Sequence, residues 1–340
     1  MPAFGTSTLS LMPKCRNQPS PIRDKKFELK NFLHTVLQAD AMTLAVLGTR
    51  SDDLIAKVRH RTSSFFVMPQ FHPDLDAYFA RINYLGSRAS TLETLHAITG
   101  HHAAAIPFEN LDVLLGRGIN VEPDAVERKL VHERRGGYCF EQNHLLLLVL
   151  QALGFQATPL SARVRWQRPR EFIPPRTHLF VRVELDGETW LTDVGVGGSS
   201  LTSAIRLNQV GEQPNAHEPR RIIREHDRYF HQIRVGEEWL DLCEFTGEAM
   251  PPIDRELANW WTSTSPNSKF RQNLMVARAA LDGTRYTINN REFTHRRGAE
   301  ILAQHEIAGP DELLKLLSQE FGLHFPNGTR FGLPGAAWPS

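Results

Sequence analysis

The apolar residues change their spacing at Gly154, and that change limits what the chain can fold into. Before it they recur at three or four positions: Leu75, Tyr78, Phe79 and Ile82, then Leu92, Leu95 and Ile98. This is the period of helices that bury one face. Ser90 and Glu93 are spaced as a capping box for the second of these, with Gly100 as its stop. Pro123 and Asp124 open another helix, expected to end near residues 135–137. A further helix runs from Cys139 to Gly154, a natural C′ residue. Residues 145–150 of it are apolar on every side, so it belongs deep in a core.

After Gly154 the period becomes two. Leu179, Val181, Val183 and Leu185 alternate with Phe180, Arg182 and Glu184. Asp186 and Gly187 then separate this run from residues 188–194. An Asp-Gly pair between alternating runs predicts a hairpin, because a type I′ turn needs two residues at positive φ. Further strands are expected at 222–223, 229–235 and 239–245, and a second hairpin around Asp282 and Gly283. Pro310 opens a last helix with Leu313, Leu314, Leu317 and Phe321 on one face. Helices, then strands, then a mixed tail predict an α+β fold with segregated elements.

The first 70 residues stand apart. They carry ten Lys and Arg against five Asp and Glu, a net charge of +5, whereas the whole 340-residue chain is at +1. Residues 1–20 are rich in Pro, Ser and Thr, and only a weak helical pattern crosses 31–47. We expect residues 1–70 to be a poorly ordered basic extension, dispensable, with a functional start at Met68. A docking or targeting helix within 31–47 is the competing expectation. The balanced charge gives no field that would select nucleic acid or an anionic membrane. The longest aliphatic run, residues 145–150, is far short of the roughly 18 residues of a membrane span. No apolar segment behind a basic start marks a secretory signal. Three scattered cysteines, Cys15, Cys139 and Cys243, form no disulfide framework, and a reducing cytoplasmic location is expected.

Cys139 lies behind two glycines at the start of a helix, where the positive end of the dipole favours a thiolate. A buried inert cysteine is the bland alternative. The hairpin adds to the case. With Asp186 and Gly187 in the turn, Leu185 faces Glu188 and Phe180 faces Asp193. His178 then shares a face with Asp193, diagonally across the strands, with Cα atoms some 7–8 Å apart. A carboxylate so placed fixes the imidazole tautomer and stabilises the imidazolium. The other face, with Leu179, Val181, Val183, Leu185, Trp190 and Val194, is expected to be the core face, and the His178 face the less apolar one. A chance pair on a solvated face is the alternative, but Thr177, Thr192 and Gly195 lack the charge of an exposed rim. Whether Cys139 reaches His178 is a tertiary matter. Glu109 and Arg135 invite a functional reading, but a buried Arg–Glu or Arg–Asn pair that holds the Gly-Gly turn is the expected one. The His101–His102 pair comes without the HExxH or CxxC spacing of a metal site, so no metal is expected.

Five stretches together resemble the arylamine N-acetyltransferases, of bacterial type: IPFENLDV at 106–113, RGGYCFEQN at 135–143, THL at 177–179, DVGVG at 193–197 and WWTSTSPNSKF at 260–270. The resemblance runs from about Phe71 to the C-terminus. It implies a papain-like fold in three parts, a helical bundle (71–154), a β-barrel (155–255) and an α/β lid (256–340). It implies a catalytic triad of Cys139 as nucleophile, His178 as base and Asp193 as its orienter. Acetyl-CoA would donate to Cys139, and an arylamine, arylhydrazine or N-hydroxyarylamine would accept, in the manner of xenobiotic metabolism. Phe108, Val164 and Val196 fall where the family lines its acceptor pocket, and Asn267, Ser268 and Lys269 near its coenzyme site. Val196 stands where many members carry Phe, and Ser265 where bacterial members often carry His. An amide synthase joining an acyl chain to an aromatic amine, or a scaffold that only binds aromatic ligands, are the other functions the pattern admits. Neither nucleic acid nor membrane is an expected partner, and the pattern leaves the oligomeric state open.

Overall fold

The computed structural model of the chain describes residues 71–332. The basic extension, with Cys15, the expected 31–47 helix and Met68, lies outside the described residues, as does the tail 333–340.

Helix α1 (Leu75–Arg81) begins where the Asp74 carboxylate accepts the Ala77 N–H at 2.9 Å. Helix α2 (Leu92–Ala105) is capped by Thr91, one residue later than the expected Ser90, because the Thr91 hydroxyl accepts the Thr94 N–H and also meets the Thr94 hydroxyl at 3.1 Å. Gly100 does not stop it. A Cβ there would lie 2.8 Å from the Thr202 carbonyl oxygen, so the missing side chain serves close packing. The helix ends at Ile106, which is extended ahead of Pro107, whose ring disfavours the helical region in its predecessor. Strand β1 (Phe108–Glu109) and the short α3 (Leu111–Leu114) follow. Helix α4 (Pro123–Glu127) passes into a π-helical turn at Arg128–His132, closing earlier than expected. Helix α5 (Cys139–Ala152) ends with Leu153 as cap and Gly154 in the left-handed region, φ +88°. Its Leu145, Leu146, Leu147, Val149 and Leu150 are buried, as their all-round apolar pattern demands.

Seven antiparallel strands come next: β2 (Gln156–Val164), β3 (His178–Leu185), β4 (Glu188–Thr192), β5 (Ile205–Arg206), β6 (Arg220–Glu225), β7 (Arg228–Val235) and β8 (Glu238–Phe245). Their order is β5-β4-β3-β2-β8-β7-β6. Asp186 and Gly187 lie at φ +52° and +77°, and Leu185 faces Glu188 in the register their turn predicts. The edges β5 and β6 are joined by one residue. The Gln213 backbone pairs with Arg220, and its side-chain amide bonds the N–H and C=O of Arg206 at 2.7 and 2.8 Å. The sheet thus curls into a nearly closed barrel. One face, with Val181, Val183, Trp190 and Val194, packs on the helices; the other, with Phe180, Leu191, Ile222, Ile233 and Phe245, fills the interior. On the less apolar face closure buries His178 and Phe180, while Arg182 and Glu184 further along it stay part-exposed.

Helices α6 (Pro252–Thr264) and α7 (Lys269–Gln272) lead into β9 (Met275–Ala279), β10 (Thr284–Asn289), β11 (Glu292–Arg297) and β12 (Glu300–Glu306), and α8 (Pro310–Phe321) closes the described chain. Leu313, Leu317 and Phe321 of α8 share a buried cluster with Val276, Ile288 and Phe293 of the sheet. That sheet runs β1-β9-β10-β11-β12, so its first strand comes from the helical segment. Asn110 reinforces the tie, donating to the Phe270 and Asn273 carbonyls at 2.7 Å and accepting the Met275 N–H at 2.9 Å. Among the described residues no helix is long and apolar enough to cross a membrane.

Candidate functional site

Cys139 is the first residue of α5 and is almost fully buried. The Glu141 carboxylate accepts the N–H of Tyr138, at 3.1 Å, and so defines the helix start beneath the thiol. The expected Glu109–Arg135 pair is present at 2.9 Å, and Asp112 and Lys129 extend it into a part-buried ionic cluster that fixes the Gly-Gly turn. Burial alone would raise the Asp112 carboxyl, but Lys129 and Arg135 pull it to about 2.

His178 opens β3 and Asp193 follows β4, and the hairpin register brings them together. His178 Nε2 and Asp193 Oδ2 are 2.7 Å apart, both groups buried. Phe180 stacks parallel to the imidazole, with planes 6° apart and centroids at 6.2 Å. Burial opposes charge on His178, yet the Asp193 carboxylate and the neighbouring Cys139 hold its proton affinity well above the usual histidine range. Burial would likewise raise Asp193, but His178, Asn143 and the Gly195 N–H hold it down. With Nε2 committed to Asp193, Nδ1 is the nitrogen left for the sulfur. The Cys139 thiol also reaches the Thr177 carbonyl at 3.7 Å.

Sequence reasoning missed Asn143. It lies one helical turn after Cys139, so the two share a face of α5. Its amide donates to Asp193 Oδ1 at 2.8 Å and to the Leu179 carbonyl at 2.6 Å, while its oxygen accepts the Val194 N–H at 2.9 Å. The i+4 spacing from the cysteine was the available signal. Gly195 was missed as well: a Cβ there would come 2.7 Å from Cys139 Cα. Only glycine lets the loop after Asp193 lie against the first turn of α5.

The expected pocket residues divide between two buried clusters. Phe108 belongs with Cys139, Tyr138 and Phe140, and Phe270 packs on the same cluster, its ring 6.1 Å from Phe108 and 5.3 Å from Tyr138. Val164 and Val196 pack on the barrel interior beside Phe180 and Cys243. Of the expected coenzyme residues, Asn267 and Lys269 are exposed. Ser268 is sealed in: its hydroxyl caps α7 at the Phe270 N–H and donates to the Thr262 carbonyl. Its hydroxyl thereby shapes the turn that carries Asn267 and Lys269. Among the described residues, His178, Asp193 and Cys243 bring possible ligand atoms within 4.8 Å of one another, but His178 and Asp193 already satisfy each other.

The structure thus brings a thiol, an imidazole and a carboxylate together where α5 meets the barrel strands, and known proteins share the chain's pattern. An N-acetyltransferase family model matches residues 91–329. The arylamine N-acetyltransferase of Escherichia coli (strain K12) is 39% identical over 251 residues, covering 74% of this chain and 89% of that protein. The solved arylamine N-acetyltransferase from Salmonella typhimurium aligns with a TM-score of 0.72 at 35% identity, over 77% of this chain and 96% of that one. The Mycobacterium marinum enzyme in complex with CoA aligns at 0.70 and 35%, over 73% and 92%. The chain belongs to the arylamine N-acetyltransferase family.

Proposed function

We propose that the chain transfers the acetyl group of acetyl-CoA to aromatic amines, hydrazines and N-hydroxyarylamines through a thioester on Cys139, with His178 and Asp193 completing the triad. The observation that carries this is the buried 2.7 Å His178–Asp193 pair beside a cysteine that opens a helix. Both the helix N-terminus and a protonated His178 favour negative charge on sulfur. The thiolate attacks the acetyl carbonyl; the coenzyme thiolate leaves and takes the proton from His178. The amine nitrogen then attacks the Cys139 thioester, His178 Nδ1 accepts its proton, and the cysteine sulfur departs as thiolate. Asp193 holds the tautomer throughout.

An aromatic amine suits an apolar lining of Phe108 beside Cys139 together with the part-buried Val164 and Val196. Coenzyme phosphates find cations at Lys269 and Arg168; burial and the Arg168 charge together hold the Lys269 ammonium below its usual range, as two approaching cations would. The chain acts in the cytoplasm as a helical bundle (71–154), a barrel (155–255) and a lid (256–340), with no metal. Intact mass after incubation with acetyl-CoA tests the proposal. One acetyl group should map to Cys139 and vanish in Cys139→Ala; a label on Cys243 instead would refute the assignment.

A further inference from the structure

Asp193 opens a loop that closes on itself, for the Leu201 N–H donates to the Asp193 carbonyl at 2.7 Å. Three consecutive carbonyls of that loop each accept from a different arginine. Gly198 accepts Arg296 Nη2 at 3.3 Å, Ser199 accepts Arg220 Nη2 at 2.9 Å, and Ser200 accepts Arg285 Nη2 at 2.9 Å. All three guanidinium groups gather on one carboxylate. Glu218 Oε1 meets Arg296 at 2.8 Å and Arg285 Nε at 2.9 Å; Oε2 meets Arg285 Nη2 at 2.8 Å and Arg220 at 3.2 Å. Burial would raise Glu218, but the three arginines pull it to about 2. Arg220 comes from β6, Arg285 from β10 and Arg296 from β11, so the barrel and the C-terminal sheet grip the loop together.

One carboxylate among three guanidinium groups leaves positive charge over. Arg220 is wholly buried, and its Nε and Nη1 have no partner. Beyond Glu218, the carboxylate whose field it feels is Asp193. Two polar groups that feel Arg220, His231 and Cys243, carry no charge to answer it. His231 is held neutral by burial and by Arg220, its pKa lowered to about 3, and burial pushes the Cys243 thiol up. The excess therefore faces Asp193, the carboxylate paired with His178, through a medium that screens weakly.

We propose that Arg220 is a positioning residue for the acyl transfer: it fixes the loop that begins at Asp193 and lends the His178–Cys139 pair a positive field that favours the thiolate. This rests on Cys139 as nucleophile. The test is the pH profile of Cys139 alkylation by iodoacetamide in the full chain, with the alkylated peptide identified by mass. Arg220→Met and the part-exposed Arg296→Gln each remove a positive charge. Each should move the half-maximal pH upward by about half to one unit, so alkylation below it slows roughly three- to tenfold. Glu218→Gln removes a negative charge and should move it downward, while Arg220→Lys should leave it near wild type. A clamp that acts by shape alone would leave every profile in place, or shift all variants one way whatever the sign of the charge removed; either result overturns the proposal. If Arg220→Met does not fold, the opposite shifts of Arg296→Gln and Glu218→Gln decide. Failure of wild-type Cys139 to take up acetyl would sink the parent reading instead, so the two failures are distinguishable.

Discussion

Replacing Asp193 by Asn separates the charge of this residue from its shape. Asp193 Oδ1 accepts two donors, the Asn143 amide at 2.8 Å and the Gly195 N–H at 3.0 Å, while Oδ2 faces His178 Nε2. An asparagine must therefore turn its oxygen to the two donors and its NH2 to the histidine. The opposite rotamer would leave two buried N–H groups unanswered, at about 1–3 kcal/mol each. With an amide donor against Nε2, that nitrogen must carry the lone pair, and the imidazole proton moves to Nδ1, which faces the sulfur. The base can then no longer accept the thiol proton. A triad histidine left in the wrong tautomer by this kind of change loses about 10⁴ in turnover, ~5 kcal/mol of barrier. The assay is single-turnover acetylation of Cys139 followed by intact mass, with circular dichroism confirming the fold. A folded Asp193→Asn chain acetylated within about tenfold of the wild-type rate would refute the tautomer account.

Val196→Phe should narrow the acceptor pocket, lowering kcat/KM for two-ring amines relative to single-ring ones by roughly tenfold or more, and an unchanged ratio would count against Val196 as pocket lining. Gln213→Leu removes the side chain that joins the barrel edges and strands the N–H and C=O of Arg206, at roughly 2–6 kcal/mol. Its thermal midpoint should fall by several degrees, and a change within about 2 °C would show the seam to be unimportant.

The hairpin was legible because a two-residue turn dictates its register, and register dictates which side chains share a face. His178 and Asp193 followed from that local rule. The i+4 spacing put Asn143 on the Cys139 face of its helix but could not show that it reaches Asp193, and Gly195 and Glu218 act across elements that spacing does not bring together. Gly100 looked like a stop because glycine ends helices more often than it seats a neighbour's carbonyl. The sheet's last hairpin, β11 and β12, escaped notice because Glu292–Glu306 holds few apolar residues and β12 is exposed along its whole length. The face of β3 with His178, Phe180, Arg182 and Glu184 reads as the more polar one, which hid that its first residues line a barrel, a consequence of closure by residues as distant as Gln213 and Arg206.

The strand Phe108–Glu109 has a consequence for synthesis on the ribosome. Its partner strand begins some 165 residues downstream of Asn110. At about 5–20 residues per second the helix that carries Cys139 emerges and can form roughly 6–25 s before that partner exists. Once Asp193 has emerged, the nascent chain carries Cys139, His178 and Asp193 but still lacks the strands that fasten Asn110 and supply Arg285 and Arg296. A chain truncated before β9 should therefore emerge as an incompetent and aggregation-prone fragment, not as a smaller enzyme.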